Sequence, residues 1–112
     1  MAYHDPTQTR YFQLDTRDTN GNPQIYYAAW RSPTAILFFI NDDGKAQVMF
    51  VIPLKVAEQL RQKVQIGPDG HNGGIADVVG FTETSRPNFN DVDLSQSTGG
   101  LDAITLGTIL EV

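Results

Sequence analysis

Apolar and polar residues alternate from Arg10 onward. Phe12 and Leu14 point one way while Tyr11, Gln13 and Asp15 point the other, the period of a half-buried strand. DTNGNPQ, residues 18–24, stacks two turn signals, Asn-Gly and Asn-Pro. IYYAAWR, 25–31, resumes an extended pattern with aromatic rings on both faces: Tyr26 and Trp30 share one side, Ile25 and Tyr27 the other. Ser32-Pro33 interrupts it, because proline offers no ladder donor.

TAILFFINDDGKAQVMFVI, 34–52, holds two apolar runs around Asp-Asp-Gly and predicts a hairpin. A two-residue loop sets Ile40 opposite Gln47. A three-residue loop with Gly44 in the left-handed position instead pairs Ile40 with Ala46, Phe38 with Val48 and Ile36 with Phe50. The second register keeps one face wholly apolar, so it is the expected one.

Pro53 suits a first helical turn, and Val56, Ala57, Leu60 and Val64 recur at helical spacing. An amphipathic helix over about 54–65 is expected, too short to persist alone and therefore docked on the sheet. IADVVGFTET, 75–84, reads as a strand with Ile75, Val79 and Phe81 on one side. SRPNFNDVDLSQSTGG, 85–100, is a polar arm without a period, long for a structureless loop. LDAITLGTILEV, 101–112, alternates at Ile104, Leu106, Leu110 and Val112 and predicts a terminal strand, either completing its own sheet or adding to a neighbour's edge.

The fold class expected is therefore α+β: an antiparallel meander of about four strands, one amphipathic helix, then two further strands. Residues 1–9 read as a mobile polar terminus and 10–112 as a single domain. The expected core draws on Phe12, Leu14, Ile36, Phe38 and Ile40, on Val48, Phe50 and Ile52, on Val56, Leu60 and Val64, and on Val79, Phe81, Ile104 and Leu106.

Composition narrows the chemistry. The chain has 112 residues, 40% apolar and 19% charged, and no cysteine, which excludes disulfides, thiolate nucleophiles and Cys-ligated zinc. MAYHDPTQTR lacks the apolar stretch of a signal peptide, and no apolar run approaches the ~20 residues of a membrane helix. A soluble, cytoplasmic protein is expected, with no membrane partner. The net charge of −5 is uneven. Residues 1–66 carry +1, whereas 67–112 hold only Arg86 against seven acids, a balance of −6. Such a half opposes phosphate-backbone binding and favours solubility, or a partner with a basic patch.

GPDGHNGG, 67–74, is the main candidate loop, with Asp69 and His71 inside it. A phosphate-binding P-loop needs Lys-Ser/Thr after its last glycine, and here Gly74-Ile75 follows Gly73. The dinucleotide fingerprint needs a strand before it and a helix after it, the reverse of the order expected here. One His and one Asp are too few ligands for zinc. The segment reads as a helix stop and flexible connector. In TRDTNGN the calcium-loop spacing at Asp18, Asn20 and Gly21 fails at Thr16, in the first ligand position, and at Tyr27, in the twelfth. No G-x-S-x-G elbow occurs, and neither histidine has an orienting neighbour. No catalytic residue, cofactor or metal ligand is assigned.

The remaining candidate is aromatic. Tyr26 and Trp30, with Arg10 and Arg31 nearby, form either a stacking platform for single-stranded bases or rings packed in a core or subunit interface. The sequence points first to a non-enzymatic, homo-oligomeric interaction module. A single-stranded nucleic-acid binder comes second, disfavoured by the acidic charge, and a small-ligand sequestering protein third.

Overall fold

The computed structural model describes residues 8–17, 20–65, 75–94 and 100–112. The chain forms β1 (Arg10–Arg17), β2 (Pro23–Arg31), β3 (Thr34–Ile40) and β4 (Ala46–Pro53), then a 3-10 helix (Leu54–Arg61). β5 (Lys63–Gln65), β6 (Ile75–Thr84), β7 (Val92–Asp93) and α1 (Ala103–Leu110) follow. The strands make one sheet in the order β5-β6-β1-β2-β3-β4-β7. Every pairing is antiparallel except β4 with β7. This is a mostly-β α+β domain built on the four-strand meander that the alternation predicts.

Both faces of the sheet are covered, which is why β2 and β3 are apolar on both sides. On one face Tyr11, Ala29, Ile36, Phe38 and Val48 pack beneath Leu106, Ile109 and Leu110 of α1 and beneath Phe89. On the other, Phe12, Leu14, Tyr26, Ala28 and Leu37 pack with Leu60 of the 3-10 helix and with Val64 and Ala76. They are called here the α1 face and the 3-10 face.

The β3–β4 hairpin has the three-residue loop expected. Gly44 takes φ +76°, and Ile40 pairs with Ala46 and Phe38 with Val48. Beyond that point a bulge shifts the register, so Leu37 rather than Ile36 pairs with Phe50, and Ile36 pairs with Val51. The extra residue lets Met49 and Phe50 both pack on the 3-10 face.

Three expectations are corrected. The segment after Pro53 is a 3-10 helix ending at Arg61, and Lys63–Gln65 is drawn out of it into β5. The tighter helix eclipses residues three apart, so Leu54, Ala57 and Leu60 form one row; Ala57 and Leu60 are buried. In β6, Val79 is the extra residue of a bulge opposite Asp15 and Thr16, and it is 64% exposed instead of in the core. The terminal segment is a helix, not a strand. The Asp102 carboxylate accepts from the Thr105 amide at 2.7 Å, an N-cap, and Leu106, Ile109 and Leu110 fall at helical spacing and are buried. Ile104, expected in the core, is 81% exposed. Because α1 docks on its own sheet, residues 101–112 are not a strand available for exchange.

Part of the polar arm is tied down. Arg86 lies with its guanidinium 3.9 Å from the Phe89 ring centre and donates to the Phe89 and Leu110 carbonyls at 2.9 and 3.2 Å. Val92–Asp93 then pairs with Ala46 and Gln47 of β4. No helix among the described residues is long and apolar enough to cross a membrane.

Candidate aromatic–guanidinium site

Three neighbouring strands, β6, β1 and β2, each contribute one ring to a cluster on the 3-10 face: Phe81, Phe12 and Trp30. Phe12 lies 4.3 Å from Trp30 and 5.0 Å from Phe81 between ring centres, and Trp30 is 5.9 Å from Phe81. Each such contact adds about 0.5–1.5 kcal/mol beyond area burial. Trp30 and Phe81 remain half-buried, bordered by the last side chain of the 3-10 helix. That side chain is Arg61, whose guanidinium sits 4.4 Å from the Phe81 centroid and 6.0 Å from that of Trp30. Arg10, the cross-strand partner of Trp30, lies 5.2 Å from the Phe12 centroid.

Both cations are paired. Arg10 donates from Nε and Nη2 to the two carboxylate oxygens of Glu83 at 2.9 and 2.7 Å. The hydrogen bond to Glu83 holds the Arg10 guanidinium above its ordinary pKa. Arg61 Nε donates to Glu58 at 2.6 Å. The cluster is thus a ring platform edged by ion pairs, not a positive funnel. Among the described residues, the Trp30 indole nitrogen is the buried side-chain polar atom without a hydrogen-bond acceptor.

Of the four residues singled out from sequence, Trp30 and Arg10 come together here. Tyr26 is on the same face but 5% exposed, edge-on to Phe39 at 6.3 Å, so no base can stack on it. Arg31 lies on the α1 face, with Nη1 donating to the Thr108 carbonyl at 3.4 Å. Asp69 and His71 lie outside the described residues. Phe12, Phe81 and Arg61 complete the cluster and were not among the sequence candidates. Phe12 and Phe81 do fall on the apolar side of their strands, but only the order β6-β1-β2 brings them beside Trp30.

Among the described residues no group of three or more His, Asp or Glu is placed to hold a metal ion. Comparison of the chain with protein-family models, with curated proteins and with solved structures gives no match.

Proposed function

We propose that this chain is a non-enzymatic interaction module that associates with a second copy of itself along the outer edge of β6. The observation that carries the reading is a mismatch in strand length. β6 has ten residues, but β5 pairs only with Ile75–Asp77, and the last backbone bond on that side runs from Val78 N to the Gln62 carbonyl. The strand beyond is paired with β1 alone among the described residues. Such an edge is a template for another strand. The opposite edge is poorer: past Gln47, β4 has a bulge at Met49 and ends in Pro53, which has no donor. The test is light scattering on a sizing column. A discrete oligomer of the 12.4 kDa chain is expected; a monomer at about 100 μM, a hundredfold above a micromolar dissociation constant, overturns the reading.

A second reading, single-stranded nucleic-acid binding, is favoured by the Phe12–Trp30–Phe81 platform with its two guanidiniums. It requires Arg10 and Arg61 to leave their glutamates. Trp30 is the only tryptophan, so its fluorescence reports directly on stacking. An oligonucleotide that leaves this emission unchanged at low salt removes the second reading.

A further inference from the structure

Resting on the self-association proposed above, we infer that two copies pair β6 with β6 antiparallel about a two-fold axis at Thr82, with Arg61 of each copy meeting Glu83 of the other. Two independent observations select this register.

The first is steric. The bulge at Val79 breaks the regular edge on one side, and β6 ends at Thr84 on the other. Among the described residues the regular stretch paired on one side alone is therefore Gly80–Thr84, whose midpoint is Thr82. The lane beyond β6 is occupied at Val78 by Gln62, so pairing cannot extend past the bulge. After Thr84 the chain leaves the sheet, and Arg86 bonds to the end of α1.

The second is electrostatic. In antiparallel pairing, opposed side chains share a face. Phe81 and Glu83 are both on the 3-10 face, and Arg61 lies over Phe81. A dyad at Phe81 brings Arg61 beside its own copy. A dyad at Glu83 opposes two carboxylates. A dyad at Thr82 sets the partner's Glu83 opposite Phe81, next to Arg61, twice over by symmetry. A carboxylate can accept from more than one guanidinium, so Arg10 and the partner copy's Arg61 can share Glu83. On the other face the same register opposes two exposed threonines, a favourable cross-strand pair.

The chain has no cysteine, so a single introduced thiol reads the register directly. Residues opposed in an antiparallel pair have Cα atoms about 4.5–5.5 Å apart, inside disulfide range. In this register residue 84 faces residue 80 of the partner, too far from its own copy to link. Thr82→Cys should oxidise to a covalent dimer under mild conditions, and Thr84→Cys should not. Arg61→Glu should weaken dimerisation about tenfold or more. A dimer in solution that links through Thr84→Cys, or through neither thiol, overturns this register and leaves self-association standing. An unchanged dissociation constant in Arg61→Glu overturns the exchanged ion pair. A monomeric wild-type chain removes both proposals.

Discussion

The Tyr11 hydroxyl donates to the Leu110 carbonyl oxygen at 3.0 Å, joining the second residue of β1 to the last of α1. Arg86 donates to the same carbonyl, and Thr9 Oγ1 donates to that of Ile109. The C-terminal end of α1 is thereby held by donors from the start of β1 and from the segment after β6. The orphan carbonyls of a helix end are satisfied, and the cationic guanidinium faces the negative end of the helix dipole.

Tyr11→Phe removes one of these donors and should cost about 1 kcal/mol, since Arg86 still serves the carbonyl. It should also change the alkaline limb of stability. Burial first, and the charge of Glu111 second, push the Tyr11 hydroxyl above its ordinary pKa. A raised folded-state pKa contributes stability that is complete below the unfolded value, about 10, and is lost as pH rises beyond it. Thermal unfolding across that range should show a steeper alkaline loss in the wild type than in Tyr11→Phe.

The Asp102 cap behaves in the opposite direction. Hydrogen bonds from the Thr105 amide first, and from the Thr105 side chain second, hold its carboxyl below the usual range. A depressed folded-state pKa contributes stability present above the unfolded value, about 4, and lost as pH falls through the folded one. Asp102→Asn keeps a cap without a titrating group and should flatten the acid limb. Asp102→Ala should lower the melting temperature at neutral pH. Equal acid limbs in the wild type and Asp102→Asn would refute the role.

Gly107 sits inside α1, where among the described residues an added Cβ would meet the Val112 carbonyl oxygen at an ordinary 3.6 Å. Glycine in a helix interior costs about 0.5–1 kcal/mol relative to alanine. Gly107→Ala should therefore raise the melting temperature by a few degrees. Glu111 is the complementary case. It closes the helix at φ 61°, with Val112 N bonded to the Gly107 carbonyl, in a position where glycine is preferred. Glu111→Gly should stabilise by about 1 kcal/mol, and calorimetry of both variants checks the pair.

Arg61→Ala tests the cluster itself. The guanidinium covers Phe81 and borders Trp30. Its loss should cost about 0.5–1 kcal/mol, the range of an exposed cation–π contact. Trp30 emission should shift to the red and become more accessible to acrylamide. If neither optical change appears, Arg61 does not shield the ring in solution.

Much of the sheet was legible because alternation is a local property. Phe12 and Leu14 against Gln13 and Asp15 mark β1, and Asp42-Asp43-Gly44 marks the hairpin, whatever surrounds them. The bulges at Met49 and Val79 were not legible. The Met49 bulge adds an apolar side chain to the 3-10 face, whereas the Val79 bulge leaves its residue exposed; both are register shifts against neighbouring strands, which no local period encodes. Within 101–112, Ile104, Leu106, Leu110 and Val112 satisfy a period of two while Leu106, Ile109 and Leu110 satisfy the helical one. The Asp102 cap, with its acceptor oxygen three residues before the Thr105 amide, was the local signal that separates them.

The sequence by itself determined the meander, the hairpin loop, the aromatic character of both faces of β2 and the absence of thiol chemistry, because each follows from neighbours along the chain. The tertiary structure alone decided which rings meet. Phe12, Trp30 and Phe81 are far apart in sequence and become a cluster only because β1 lies between β6 and β2. It also decided that Tyr26 is sealed by Phe39 and that Arg31 serves α1. The edge of β6 that β5 leaves uncovered among the described residues has the same origin. Whether the backbone of β6 has a partner depends on how far β5 runs beside it, a non-local fact that no hydrophobic period encodes.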